Sequence, residues 1–85
     1  MAENEIRYGD GFLHDVRKLP KEAETKLAAL LETLRKDAFA PELHTRSLRA
    51  PLKGKYTFRI TRDWRVGFEF EDHNTIKLLA VDNRD

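Results

Sequence analysis

From Lys55 onward the apolar residues fall on alternate positions, a pattern that a helix cannot bury on one side. Tyr56, Phe58 and Ile60 share one parity, and Lys55, Thr57, Arg59 and Thr61 the other. After Thr61-Arg62-Asp63, residues Trp64, Val66, Phe68 and Phe70 alternate against Arg65, Gly67, Glu69 and Glu71. A period of two turns one face to a core and the other to water, as in an antiparallel hairpin. Asp72-His73-Asn74 reads as a second turn and Ile76–Val81 as a third strand. That strand is more evenly apolar, so it is expected to be central or covered on both faces. A three-strand meander of this kind needs an apolar layer over its inner face.

The first half of the chain supplies that layer. Ile6 and Tyr8 alternate against Glu5 and Arg7, which predicts a short strand over Asn4–Tyr8. Gly9-Asp10-Gly11 breaks it, with Asp10 placed to cap a following helix. Phe12, Val16 and Leu19 then recur at helical spacing from Gly11 to Leu19. Pro20 interrupts this run and suits the first turn of a second helix, predicted to reach about Lys36. Ala23, Leu27, Leu30, Leu31 and Leu34 form its apolar stripe, and Glu22–Lys26 and Glu32–Lys36 are favourable i,i+4 pairs. Asp37 to Leu52, punctuated by Pro41 and Pro51, has no clean period and reads as an irregular connection. The expected fold is α+β: an N-terminal strand and a helical hairpin packed on one face of a mainly antiparallel sheet, with a C-terminal meander. Residues 1–85 are expected to form one domain, since a chain of this length has room for one core.

Several function classes drop out. With no cysteine there is no disulfide scaffold, thiolate zinc site, iron–sulfur cluster or thiol nucleophile. No apolar run approaches the ~18–20 residues of a membrane span. Met1-Ala2-Glu3-Asn4-Glu5 is acidic and leads into no apolar run, so no secretory signal is expected and a cytoplasmic location is. His14, His44 and His73 lack metal-ligand spacing. Lys53-Gly54-Lys55 has the wrong glycine spacing for a phosphate loop, and a strand follows it.

Charge is more informative than its sum. The net charge is +1, yet between Arg46 and Phe68 there are seven basic residues and one acid, Asp63. The rest of the chain is correspondingly acidic, a division that fits a polyanion-facing surface on an acidic body. Because the aromatic face of the meander belongs under the helices, Lys55, Arg59 and Arg65 must point the other way. The strand register can make Arg59 and Arg65 neighbours there. Two adjacent guanidiniums repel unless an anion lies between them, and arginine offers planar, bidentate contact to phosphate. Two readings stand: an anion site, with Arg84 reaching the same sheet end, or unrelated surface charges. His44 lies in the basic connection, within reach of the open face. Asp63 is either a turn former or an orienting group, and Trp64 either core or a stacking platform.

Several motifs together resemble the RelE/ParE toxin superfamily of bacterial and archaeal toxin–antitoxin systems, over nearly the whole chain. Lys18-Leu19-Pro20 and the leucine-striped segment are similar to the family's helices. Leu48-Arg49-Ala50-Pro51-Leu52-Lys53-Gly54-Lys55-Tyr56 resembles its leucine, basic residue and "L-x-G-x-Y" lead into the sheet. Tyr56-Thr57-Phe58-Arg59-Ile60 with Asp63-Trp64-Arg65-Val66 resembles its strand–turn–strand, and Val81-Asp82-Asn83-Arg84 its C-terminal "v-x-x-R".

The resemblance implies a ribosome-dependent endoribonuclease that cleaves messenger RNA by attack of the RNA 2′-hydroxyl on the adjacent phosphate. It implies a cognate antitoxin covering the basic face, and no cofactor, metal or membrane. Arg65 matches the arginine that stabilises the scissile phosphate, and Arg59 a basic or histidine position on the first meander strand. Arg84 matches the C-terminal arginine or histidine, and Asp63 an aspartate kept in one branch. Arg49, Lys53, Lys55 and His44 are the expected RNA-binding residues. The aromatic residue that many relatives carry beyond the final arginine has no counterpart in these 85 residues. The sequence also shows no evident general base. Two alternatives remain: a ParE-like toxin that binds a protein such as gyrase, and a catalytically degenerate toxin-like protein.

Overall fold

The structure, a computed structural model, describes residues 3–83. Strand β1 (Glu5–Tyr8) leads into α1 (Asp10–Asp15), a 3-10 turn (Val16–Lys18) and α2 (Lys21–Lys36). A second 3-10 turn (Pro41–Leu43) precedes β2 (Arg46–Ser47), β3 (Lys55–Arg59), β4 (Trp64–Asp72) and β5 (Thr75–Asn83). The sheet order is β1-β5-β4-β3-β2, with β1 parallel to β5 and every other pair antiparallel. The α+β architecture is as expected, with the first helix shorter than its periodicity predicts.

Glycine explains how the short helix seats itself. A Cβ on Gly9 would stand 2.7 Å from the Leu78 carbonyl oxygen, and one on Gly11 2.8 Å from that of Leu79. The Gly9-Asp10-Gly11 break is therefore also a close-approach surface, on which α1 lies against β5. Gly9 occupies the N-cap, and Asp10 is the first helical residue rather than the cap. Where β1 ends, α1 takes over the β5 edge: the Val81 N–H donates to Asp15 Oδ2 at 3.1 Å. That bond satisfies a strand donor that would otherwise be unpaired.

Helix α2 begins at Lys21, after Pro20 at the N-cap, and buries Ala23, Leu27, Leu30 and Leu34. Leu31, at the margin of the stripe, is half-buried. The stripe faces Phe58, Val66, Phe68, Ile76 and Leu78, all of them almost fully buried. Asn4 secures the far end of α2, donating from its backbone to the Arg35 carbonyl (2.7 Å) and from its side chain to that of Leu34 (3.1 Å). Both are terminal carbonyls with no partner inside the helix. Glu32 bonds Arg35 at 2.7 Å. Neither expected i,i+4 pair forms among the described residues; Glu32 takes the nearer Arg35 instead of Lys36.

Two expectations change. The connection from Asp37 to Leu52 contains the 3-10 turn and the two-residue strand β2, which adds a fifth strand beside β3 through Arg46↔Thr57 and Ser47↔Tyr56. A strand of two residues is too short to show a period. Strand β5 lies inside the sheet, between β1 and β4, as expected, but not for the reason its apolarity suggests. Its even apolarity comes from a bulge: the register passes from Phe68↔Leu78 to Gly67↔Ala80, skipping Leu79. The skipped residue reverses the parity, so Ile76 and Leu78 but then Val81 face the core. Among the described residues no helix is long and apolar enough to cross a membrane.

Candidate anion-binding groove

The register of the central hairpin decides what the open face presents. Phe58 opposite Val66 and Tyr56 opposite Phe68 put the aromatic parity under the helices. The other parity then pairs Lys55 with Glu69, Thr57 with Gly67, and Arg59 with Arg65. Directly opposed residues hold their Cβ atoms about 5 Å apart, so the two guanidiniums share one small region. The expected proximity of Arg59 and Arg65 is present as a direct cross-strand pair.

The groove forms where β2 falls away from β3. Its lining includes His44, Arg46, Thr57, Arg59, Arg62 and Arg65, around a concavity of ≈ 490 Å³. Among the described residues, no acidic one lines it. Among the described residues, none of the Arg46, Arg59, Arg62 and Arg65 side chains has a hydrogen bond or ion pair within the chain. Asp82 lies opposite Arg65 on β5, exposed, and no ion pair joins them. Four clustered guanidiniums without a counter-charge are costly in the free protein and suit a polyanion. A smaller hollow of ≈ 340 Å³ continues the groove toward the sheet edge, adding Ser47, Leu48 and Arg49 to Arg46, Thr57 and Arg65.

The remaining sequence candidates divide. His44 and Arg49 belong to these concavities. Lys55 is engaged: its Nζ lies 2.8 Å from Glu69 Oε1. Lys53 is exposed in the turn before β3, outside both linings. Asp63 is exposed in the β3–β4 turn, where its N–H donates to Thr61 Oγ1 at 3.3 Å, and it does not line the groove. Trp64 packs half-buried against the core and also lines the groove. Arg84 lies outside the described residues. Arg46 and Arg62 are the groove residues that site prediction missed. Both sit in the basic run, but Arg46 acquires a face only through its pairing with Thr57, and Arg62 only through the turn geometry.

Among the described residues no three His, Cys, Asp or Glu side chains cluster as metal ligands would. The groove's arginine side chains are donors of the kind that suit phosphate.

No protein-family model matches the chain, and no curated protein sequence does. Solved structures do match. A chain of the toxin–antitoxin complex RelBE2 from Mycobacterium tuberculosis is 26% identical, with a TM-score of 0.74, and the match covers 98% of this chain and 100% of that one. The YoeB dimer from Staphylococcus aureus gives 24% identity, coverage of 95% and 97%, and a TM-score of 0.75. The archaeal RelE–RelB complex from Pyrococcus horikoshii gives 17% identity, coverage of 95% and 94%, and a TM-score of 0.78.

Proposed function

Starting from a chain with the fold of the RelE/ParE toxin superfamily, we propose that it is the toxin of a type II toxin–antitoxin system. In this reading it is an endoribonuclease that cleaves messenger RNA on the ribosome, in the cytoplasm, and so stops translation. The observation that carries the reading is the Arg59–Arg65 pair at the centre of a groove that no acidic residue lines among the described residues. The scissile phosphate sits between the two guanidiniums, which hold its non-bridging oxygens and stabilise the charge that grows as the 2′-hydroxyl attacks. Arg46 and Arg49 guide the neighbouring backbone. The attacking oxygen belongs to the RNA, so the reaction calls for no cofactor.

Related structures are complexes of such proteins, RelBE2, RelE–RelB and YoeB–YefM among them. A cognate antitoxin that lays acidic residues over the groove would supply the missing counter-charge. Binding to a protein target such as gyrase gives no reason to converge four unpaired guanidiniums, so RNA is the better-supported ligand. The direct test is primer extension on messenger RNA after induced expression of the chain. Codon-phased cleavage with growth arrest is the expected outcome. Growth arrest with intact messenger RNA would refute the nuclease and leave a protein-binding toxin.

A further inference from the structure

The proposed reaction supplies charge stabilisation but no proton acceptor. The groove arginines stay protonated at any working pH. Lys55 is bonded to Glu69, and Asp63 lies outside the lining. His44 is the one groove-lining side chain, among the described residues, of a type that exchanges protons near neutrality.

Its backbone is also unusual. His44 ends the Pro41–Leu43 turn at φ 50° and ψ 44°, and is the only non-glycine residue at positive φ among the described residues. Left-handed backbone is unfavourable for a residue with a Cβ. Here it reverses the chain so that Leu43 stays fully buried and Arg46 meets Thr57. Carried two residues back, that antiparallel register brings His44 level with Arg59. The two residues indeed line the same two concavities, with Arg62.

We propose that His44 is the catalytic base of this groove, an inference that rests on the nuclease reading. A neutral imidazole nitrogen removes the proton from the RNA 2′-hydroxyl. The 2′ oxygen bonds to phosphorus, the bond from phosphorus to the 5′ oxygen breaks, and Arg59 and Arg65 hold the non-bridging oxygens. Water protonates the departing 5′ oxygen, and the hydroxide so formed takes the proton back from the imidazolium. The products are a 2′,3′-cyclic phosphate and a 5′-hydroxyl end. The charged groups that line these two concavities with His44 are Arg46 on β2, Arg59 on β3, Arg62 in the turn, Arg65 on β4, Lys26 on α2 and Glu42 in the preceding 3-10 turn.

The test uses ribosomes programmed with a defined messenger RNA and four forms of the protein: wild type, His44→Asn, His44→Gly and Arg65→Ala. Asparagine and glycine both tolerate left-handed backbone, so neither substitution threatens the fold. His44→Asn is expected to lower the cleavage rate by about 100-fold or more while RNA affinity stays within about threefold. The rise of the wild-type rate with pH should vanish in that variant. Added imidazole should restore part of the cleavage by His44→Gly and none by Arg65→Ala. If His44→Asn cleaves like wild type and Arg65→Ala does not, the base assignment is wrong and the nuclease reading survives. Loss of activity in His44→Asn with the pH profile retained and no imidazole rescue also overturns the assignment, leaving His44 a positioning residue. If wild type leaves the messenger intact, both fall.

Discussion

Two ends of one sheet face treat the same kind of residue in opposite ways. At the Lys55 end the cations are balanced: Lys55 bonds Glu69 at 2.8 Å, and Arg7 bonds Glu71 at 3.0 Å. At the Arg59 end, about 14 Å further along β3, four arginines converge and none has a partner among the described residues. Lys55 and Arg59 share a strand, a sheet face and the sign of their charge, so none of these accounts for the difference. What differs is the residue opposite, Glu69 at one end and a second arginine at the other. A face held together by its own charges would repeat the first arrangement. The second sets two like charges side by side, an arrangement that a bound anion would relieve and that fits the proposed RNA-binding groove.

The strongest way to break this comparison is to delete one member of the unbalanced end. Arg59→Ala and Arg65→Ala should each lower RNA cleavage about 100-fold or more, the range seen when one preorganised charge-stabilising donor is lost. Melting temperatures should stay within about 4 °C of wild type, because no internal bond is removed. A large fall in stability with little loss of cleavage would mean that the arginines are structural.

Next in size is to make the two ends alike. Thr57 lies between them and faces Arg46 across the β2–β3 pairing. Thr57→Glu should weaken single-stranded RNA binding roughly tenfold at low salt and reduce the magnitude of the salt dependence by about one phosphate contact, a slope change of ~0.7. Titrations at several salt concentrations read both numbers. An unchanged slope would place the RNA elsewhere.

The balanced end predicts smaller effects. Removing both partners together, by Lys55→Gln with Glu69→Gln, should change stability by less than about 1 kcal/mol and leave RNA affinity within about threefold. A much larger loss of affinity would restore Lys55 to the RNA-binding set. The smallest effect lies at the β4–β5 turn. The Asn74 N–H bonds Asp72 Oδ1 at 3.0 Å, and this, with the Thr75 side chain, holds the Asp72 carboxyl below its usual range. Its folded pKa is depressed, so its stabilising contribution is complete above the unfolded carboxyl's titration and is lost as pH falls through the lowered value. Asp72→Asn should therefore narrow the gap to wild type only in the acid region of a melting-temperature series, and a constant gap would argue against it.

Periodicity reveals which parts of this arrangement a sequence can disclose. The alternation from Tyr56 to Phe70 separates the two faces unambiguously, and with a tight Thr61-Arg62-Asp63 turn it all but dictates that Arg59 meets Arg65. The α2 stripe is similarly legible, because Leu27, Leu30 and Leu34 repeat at helical spacing. Strand β2 is not, since two residues carry no period and its position depends on a backbone reversal at His44. Arg46 was hidden for that reason. The engagement of Lys55 escaped as well: Glu69 is 14 residues away and becomes its neighbour only through the register. Local pattern shows what each strand offers, while pairing decides which offers cancel.

The parallel pairing of β1 with β5 has a practical consequence. Glu5 stands beside Thr75 at one end of the sheet, and Asp82 and Asn83 stand beside Arg65 and Trp64 at the other. A purification tag or surface anchor joined ahead of β1 would thus leave the sheet roughly 25 Å from the arginine pair, the length of β4. One joined after β5 would emerge next to it, where a flexible acidic peptide could occupy the groove and be mistaken for inactivity. Binding experiments on this protein should be anchored from the β1 side.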